Sequence, residues 1–143
     1  MMRRIENPSF INAINEKVAE MLSKISLLRE TIRPFFTGND SEYLYQDSKG
    51  FYDVLFLDHG DLSIDYLGKD ESEIVDYLVK KQIEIYAVCD YEPDKRKYQP
   101  YAHVTHTNWD VVNEFVSDSY KVIFPNTHPP VLPKEGLLKS SSN

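Results

Sequence analysis

Hydrophobic positions recur along this chain with two periods. Over residues 9–30, Ile11, Ile14, Val18, Met21, Leu22, Ile25 and Leu28 follow a three-and-four spacing, which places them on one face of a helix. Ser9 is the expected N-cap and Pro34 closes the pattern. From residue 42 the period changes. EYLYQ at 42–46 suits a short strand, and FYDVLFLD at 51–58 is apolar on both faces, as a central strand is. DLSIDYL at 61–67 alternates: Leu62, Ile64 and Tyr66 share one face, Asp61, Ser63 and Asp65 the other. That pattern predicts a strand with its apolar face inward and its acids in water. Asp58-His59-Gly60-Asp61 is the turn between two strands of an antiparallel meander.

The helical period then returns. Gly68-Lys69 breaks the strand, and Asp70 with Glu73 has the spacing of an N-terminal capping pair. The run from Glu71 predicts a long helix ending before Pro93, with Ile74, Leu78, Ile85 and Cys89 near one stripe and Tyr77, Tyr86 and Val88 beside it. The segment from Glu92 to Thr107 is polar and irregular. Thr107 with Asp110 repeats the capping pattern, and a third helix follows with Val112, Phe115 and Val116 inward; its end, YKVIF, also suits an edge strand. Helix, strands, helix, helix predicts an α+β fold: a short antiparallel meander with helices packed on one face. A single domain over 1–124 and a loosely ordered proline- and serine-rich tail over 125–143 complete the expectation.

Length agrees: 143 residues make one typical domain that buries about 68–70% of its unfolded surface without a disulfide or metal. The single cysteine, Cys89, excludes an internal disulfide. No apolar run approaches the ~20 residues of a membrane span, and no apolar signal core follows Arg3-Arg4. The expectation is a cytoplasmic protein.

Charge changes the picture. The formal net charge is −7, but residues 39–94 hold fifteen acids against four bases, while each flank is slightly basic. A field of that sign repels nucleic-acid backbones and steers a cationic protein toward the middle third. Asp61 and Asp65 on the strand, with Asp70, Glu71, Glu73 and Asp76 on the following helix, form the candidate docking field. Tyr66 and Tyr77 are its candidate anchors, because tyrosine contributes a large contact area at small entropic cost.

The competing chemistry is thin. Asp53, Asp58, Asp61 and Asp65 are close in sequence, but no calcium-loop spacing exists. His103 and His106 lie three apart in a segment that reads as loop, with His59 and His128 distant, which is not zinc-ligand spacing. Cys89 falls on an apolar stripe, where a thiol is usually buried and inert. Neither a nucleophile elbow nor a glycine-rich phosphate loop occurs. Neither catalytic residues nor a metal or other cofactor is therefore assigned. The rival readings are a small metal-dependent hydrolase using Asp53 or Asp58 with a histidine, and an adaptor domain for some other protein partner.

The arrangement also resembles a family. EKVAEMLSKI leads to Pro34, Gly50-Phe51-Tyr52 opens a strand, Asp58-His59-Gly60 forms a hairpin, Asp70 to Glu73 opens a helix, and Ala87, Tyr91, Glu92 and Arg96 lie at its end. Over residues 15–96 this is similar to the immunity proteins of bacterial polymorphic toxin and contact-dependent growth inhibition systems, in particular the sixty-third numbered immunity-protein family. That family usually carries Glu-Arg-Gly at the hairpin. The resemblance implies a non-enzymatic cytoplasmic inhibitor that occludes the active site of a cognate toxin domain, many such toxins being basic nucleases.

Overall fold

The computed structural model describes residues 3–27, 31–37, 42–58, 61–96 and 106–133, with the backbone alone given for 57, 58, 61–63 and 96. The fold is α+β. Its elements are β1 (Arg3–Arg4), α1 (Pro8–Leu22), β2 (Glu42–Gln46), β3 (Tyr52–Asp58), β4 (Asp61–Gly68), α2 (Glu71–Tyr86), α3 (Glu92–Arg96) and α4 (Trp109–Ile123). Contacts divide the chain into two compact units, Met1–Lys80 and Lys81–Asn143. The division falls inside α2.

In the first unit the four strands form one antiparallel sheet in the order β1-β2-β3-β4. The register decides which side chains share a face. Leu44 pairs with Val54 and Val54 with Asp65; on the other face Tyr45 pairs with Asp53 and Asp53 with Tyr66. Both helices reach the first of these faces. Phe10 of α1 stacks on Tyr52 with ring centroids 6.0 Å apart, and Tyr77 of α2 lies 6.4 Å from Phe56. Helices on one side of a meander is the expected arrangement. Leu44 and Val54 are buried there, and so are Ile14, Val18 and Leu22 of α1 and Ile74, Val75, Leu78 and Val79 of α2.

α1 begins two residues earlier than the expected N-cap implies. Asn7, not Ser9, is the N-cap: its Oδ1 accepts from the Ser9 amide at 3.0 Å, and Pro8 occupies the first helical position, where its missing N–H costs nothing. The helix ends at Leu22, tightens through a 3₁₀ turn at Ser23–Ile25 and is closed by Ser26 at φ 59°. The last predicted residues of the stripe, 28–30, lie outside the described residues.

In the second unit α2 runs on through a widened, π-type turn at Ala87–Tyr91 into α3. Pro93 explains the widening: it lacks an amide proton, and its ring would press on the carbonyl four residues back. The Glu92 amide instead donates to Ala87 O, five residues back. The helix therefore passes Pro93 rather than stopping before it. The same turn leaves Cys89 exposed, not buried on the stripe. α4 is capped by Asn108, whose Oδ1 accepts from the amides of Asp110 and Val111, and it stays helical to Ile123, so YKVIF is no edge strand. Val112 and Val116 are buried as expected, while the Phe115 ring packs at a tilt against Tyr86 and Tyr91, with centroids 5.2 and 4.7 Å away. Tyr120 is buried too, and burial together with the Glu84 charge pushes its phenol up to about 12.

Residues 125–133 are tied down rather than loose. Asn113 Nδ2 donates to Leu132 O and Asn113 Oδ1 accepts from the Leu132 amide, both at 2.8 Å, and the Leu132 side chain is buried. Residues 134–143 lie outside the described set.

Candidate functional site

The β4–α2 corner carries the predicted docking residues, and its geometry follows from one glycine. Gly68 adopts φ +114°, a region that side-chain-bearing residues avoid. A Cβ there would meet Glu73 Oε2 at 1.7 Å, so the Glu73 carboxylate lies directly over the glycine. One helical turn on, Tyr77 lies over the strand three residues back and donates its hydroxyl to Asp65 Oδ2 at 2.5 Å. α2 thus runs back along β4, with Glu73 over Gly68 and Tyr77 over Asp65. The Glu73 amide donates to Asp70 O at 3.1 Å, which starts the helix where the capping pair placed it.

This reverses the predicted orientation of β4. Ile64 and Tyr66 do share a face, but it is the open face of the sheet, where they are 39% and 81% exposed. Asp65 lies on the helix side instead. The alternation was legible; its direction was not, because β4 is the last strand of the sheet and little core lies behind it. Of Asp61, the backbone alone is described, opposite Asp58.

α2 splits the rest of the predicted field. Glu73 and Tyr77 face β4. Glu71 turns to α1 and accepts from Lys17 Nζ at 2.7 Å. Asp76 lines an open groove of about 300 Å³ with Lys17, Glu20, Met21, Ser72 and Val75. Asp70 is exposed beside the turn. Of the five acids whose side chains are described, Asp65 and Glu73 go with the strand edge and Glu71 and Asp76 with α1.

The open face joins Tyr66 and Asp53, both candidates from the sequence, to residues that the sequence pattern did not single out, Arg4, Tyr43 and Tyr45 among them. Arg4, Tyr45, Asp53 and Tyr66 form one cross-strand row, and Tyr43, Leu55 and Ile64 form the next. Arg4 stacks over the Tyr43 ring, 4.4 Å from its centroid. Asp53, only 4% exposed between its tyrosine neighbours, is held above the ordinary carboxylate value by burial first and by the Asp47 charge second. A raised carboxyl can mark acid–base chemistry. Among the described residues, however, no three His, Cys, Asp or Glu are grouped to hold a metal ion. His103 and His59 lie outside the described residues. Glu92 is fully buried and accepts from the Asn108 amide at 2.9 Å, bracing the start of α4.

No helix among the described residues is long and apolar enough to cross a membrane. Compared with protein-family models, with curated proteins and with solved structures, the chain matches none.

Proposed function

We propose that this chain is a binding protein that neutralises a cognate toxin domain by covering its active site, with no bond chemistry of its own. The observation that carries the reading is Tyr66, 81% exposed on an open sheet face in the middle of the acidic stretch 39–94. A large aromatic kept in water costs solubility, and such residues beside a charged rim are what protein interfaces use as anchors. The acids speed encounter with a basic partner and set its register; desolvated Tyr66 and Ile64 carry the affinity. The resemblance of residues 15–96 to immunity proteins, carried by sequence motifs alone, points the same way.

The test is co-expression with the C-terminal domain encoded by the gene immediately upstream, scoring growth and co-purification. Restored growth with a stable complex is the expected result, with an association rate that falls steeply as salt is raised. Toxicity without rescue or complex overturns the reading, as does a harmless upstream domain. A melting temperature raised by calcium, magnesium or zinc would move weight to the hydrolase.

A further inference from the structure

Among the described residues β4 is a sheet edge: seven of its eight residues have partners on β3, Leu67 falling at a register shift, and no other strand pairs with it. Proteins normally blunt an edge of that length with charged side chains, lysine above all, with proline or with a mid-strand bulge; of these β4 has Asp61 and Asp65 alone. Asp61–Gly68 contains neither lysine nor proline, and its one register shift lies opposite Tyr52/Asp53, beyond Tyr66. Six residues, 61–66, thus continue in unbroken register up to the edge. The two faces of that edge differ sharply. Ile64 and Tyr66 stand exposed on the open face; on the other, Asp65 is exposed and Glu73 follows over Gly68.

We infer that β4 receives an extended segment of a partner protein in which basic and apolar residues alternate. The added strand would pair its backbone with β4, as strand-addition complexes do. Its period of two would lay every second side chain beside Ile64 and Tyr66, and the intervening lysines or arginines beside Asp65 and Glu73. Charge selects this occupant over a second copy of the chain. Residues 39–94 carry fifteen acids against four bases, so two copies meeting edge to edge would bring like charges together, whereas a basic strand neutralises them. The inference deepens the partner-binding reading by naming the chemistry that β4 accepts.

The test uses the full chain and a fluorescein-labelled peptide, Lys-Ile-Lys-Val-Arg-Val-Lys, read by anisotropy at low ionic strength. Three controls accompany it: the same residues in a basic block followed by an apolar block, and two versions N-methylated on one or the other alternate set of amides. The alternating peptide is expected to bind more tightly than the block peptide. One N-methylated version should lose binding while the other keeps it, because only every second amide of an added strand faces β4. Ile64→Lys and Asp65→Lys, each checked for folding by circular dichroism, should each weaken binding by about tenfold or more; Tyr66→Ala, at a side chain already in water, is the variant least able to disturb the fold. Equal binding of the block peptide, or loss with neither N-methylated version, reduces the edge to diffuse charge attraction and overturns the inference. A dimer of the chain alone that Ile64→Lys dissolves overturns it in favour of a second copy. Growth rescue that survives both β4 variants also overturns it and removes Ile64 as an anchor, while leaving toxin neutralisation itself in place; peptide binding without growth rescue does the reverse.

Discussion

The Tyr77 hydroxyl donates to Asp65 Oδ2 at 2.5 Å, joining α2 to the last strand of the sheet. The same ring packs against Phe56. The two roles separate on mutation. Tyr77→Phe keeps the ring and loses the donor, and the expected cost is about 0.5–1.5 kcal/mol. Tyr77→Ala also loses the packing and should cost about 1–2 kcal/mol more. Urea denaturation with a common slope measures both; equal costs would mean that the ring contributes nothing.

Gly68 is expected to resist even alanine. Gly68→Ala places a methyl group at φ +114° and against Glu73, for a cost of roughly 1–3 kcal/mol. The Glu73 carboxylate is the mobile end of a side chain, so it can give way; the backbone cannot. In a Glu73→Ala background the cost should shrink but not vanish, and the double-mutant cycle reads the difference.

Asp53 makes stability depend on pH with an unusual sign for a carboxylate. Its folded value is raised, so the native state holds the proton more tightly than the unfolded chain does, and ionisation destabilises. That cost is absent well below the unfolded value, here 3.8, grows as pH rises toward the raised folded value, and is constant above it. Asp53→Asn should therefore raise the melting temperature at neutral pH, with the gain fading as pH falls below 3.8. A gain that persisted in acid would point to packing instead.

Gln82 is 2% exposed, and its Oε1 finds no hydrogen-bond partner among the described residues. A buried carbonyl left in that state is costly, on the order of 1–3 kcal/mol. Gln82→Met preserves length and removes both polar atoms. Stabilisation by about 1 kcal/mol is expected, read as a higher denaturant midpoint.

Asn113 is expected to hold residues 125–133. Asn113→Leu removes both bonds to Leu132, about 2 kcal/mol for the pair. Hydrogen exchange at the Leu132 amide should accelerate strongly while the α4 amides change little. Uniform acceleration would mean that the whole unit, and not the segment, depends on the clamp.

Two asparagines do the same work at distant points of the chain, and neither stood out in the sequence. Asn15 exchanges a donor and an acceptor with Phe35 at 2.7 Å each, as Asn113 does with Leu132. In both cases a helix side chain imitates a strand edge for a loop residue. Asparagines on polar faces look like solvated surface until the loop that needs them is in place.

Periodicity by itself determined the meander, the positions of the helices and most of α1's buried face, because burial of an apolar stripe needs only local geometry. Ile14, Val18 and Leu22 follow from spacing alone. Alternation likewise determined that Ile64 and Tyr66 share a face. Only the tertiary structure decided that this face is open, since a period of two is blind to which side the helices occupy. The acids show the same division. Composition determined how many lie between residues 39 and 94; the path of α2 decided that Asp65 and Glu73 flank the strand edge while Glu71 meets Lys17 and Asp76 lines the groove beside α1. Net charge is a property of the sequence, but a charged surface depends on which helix face each carboxylate occupies.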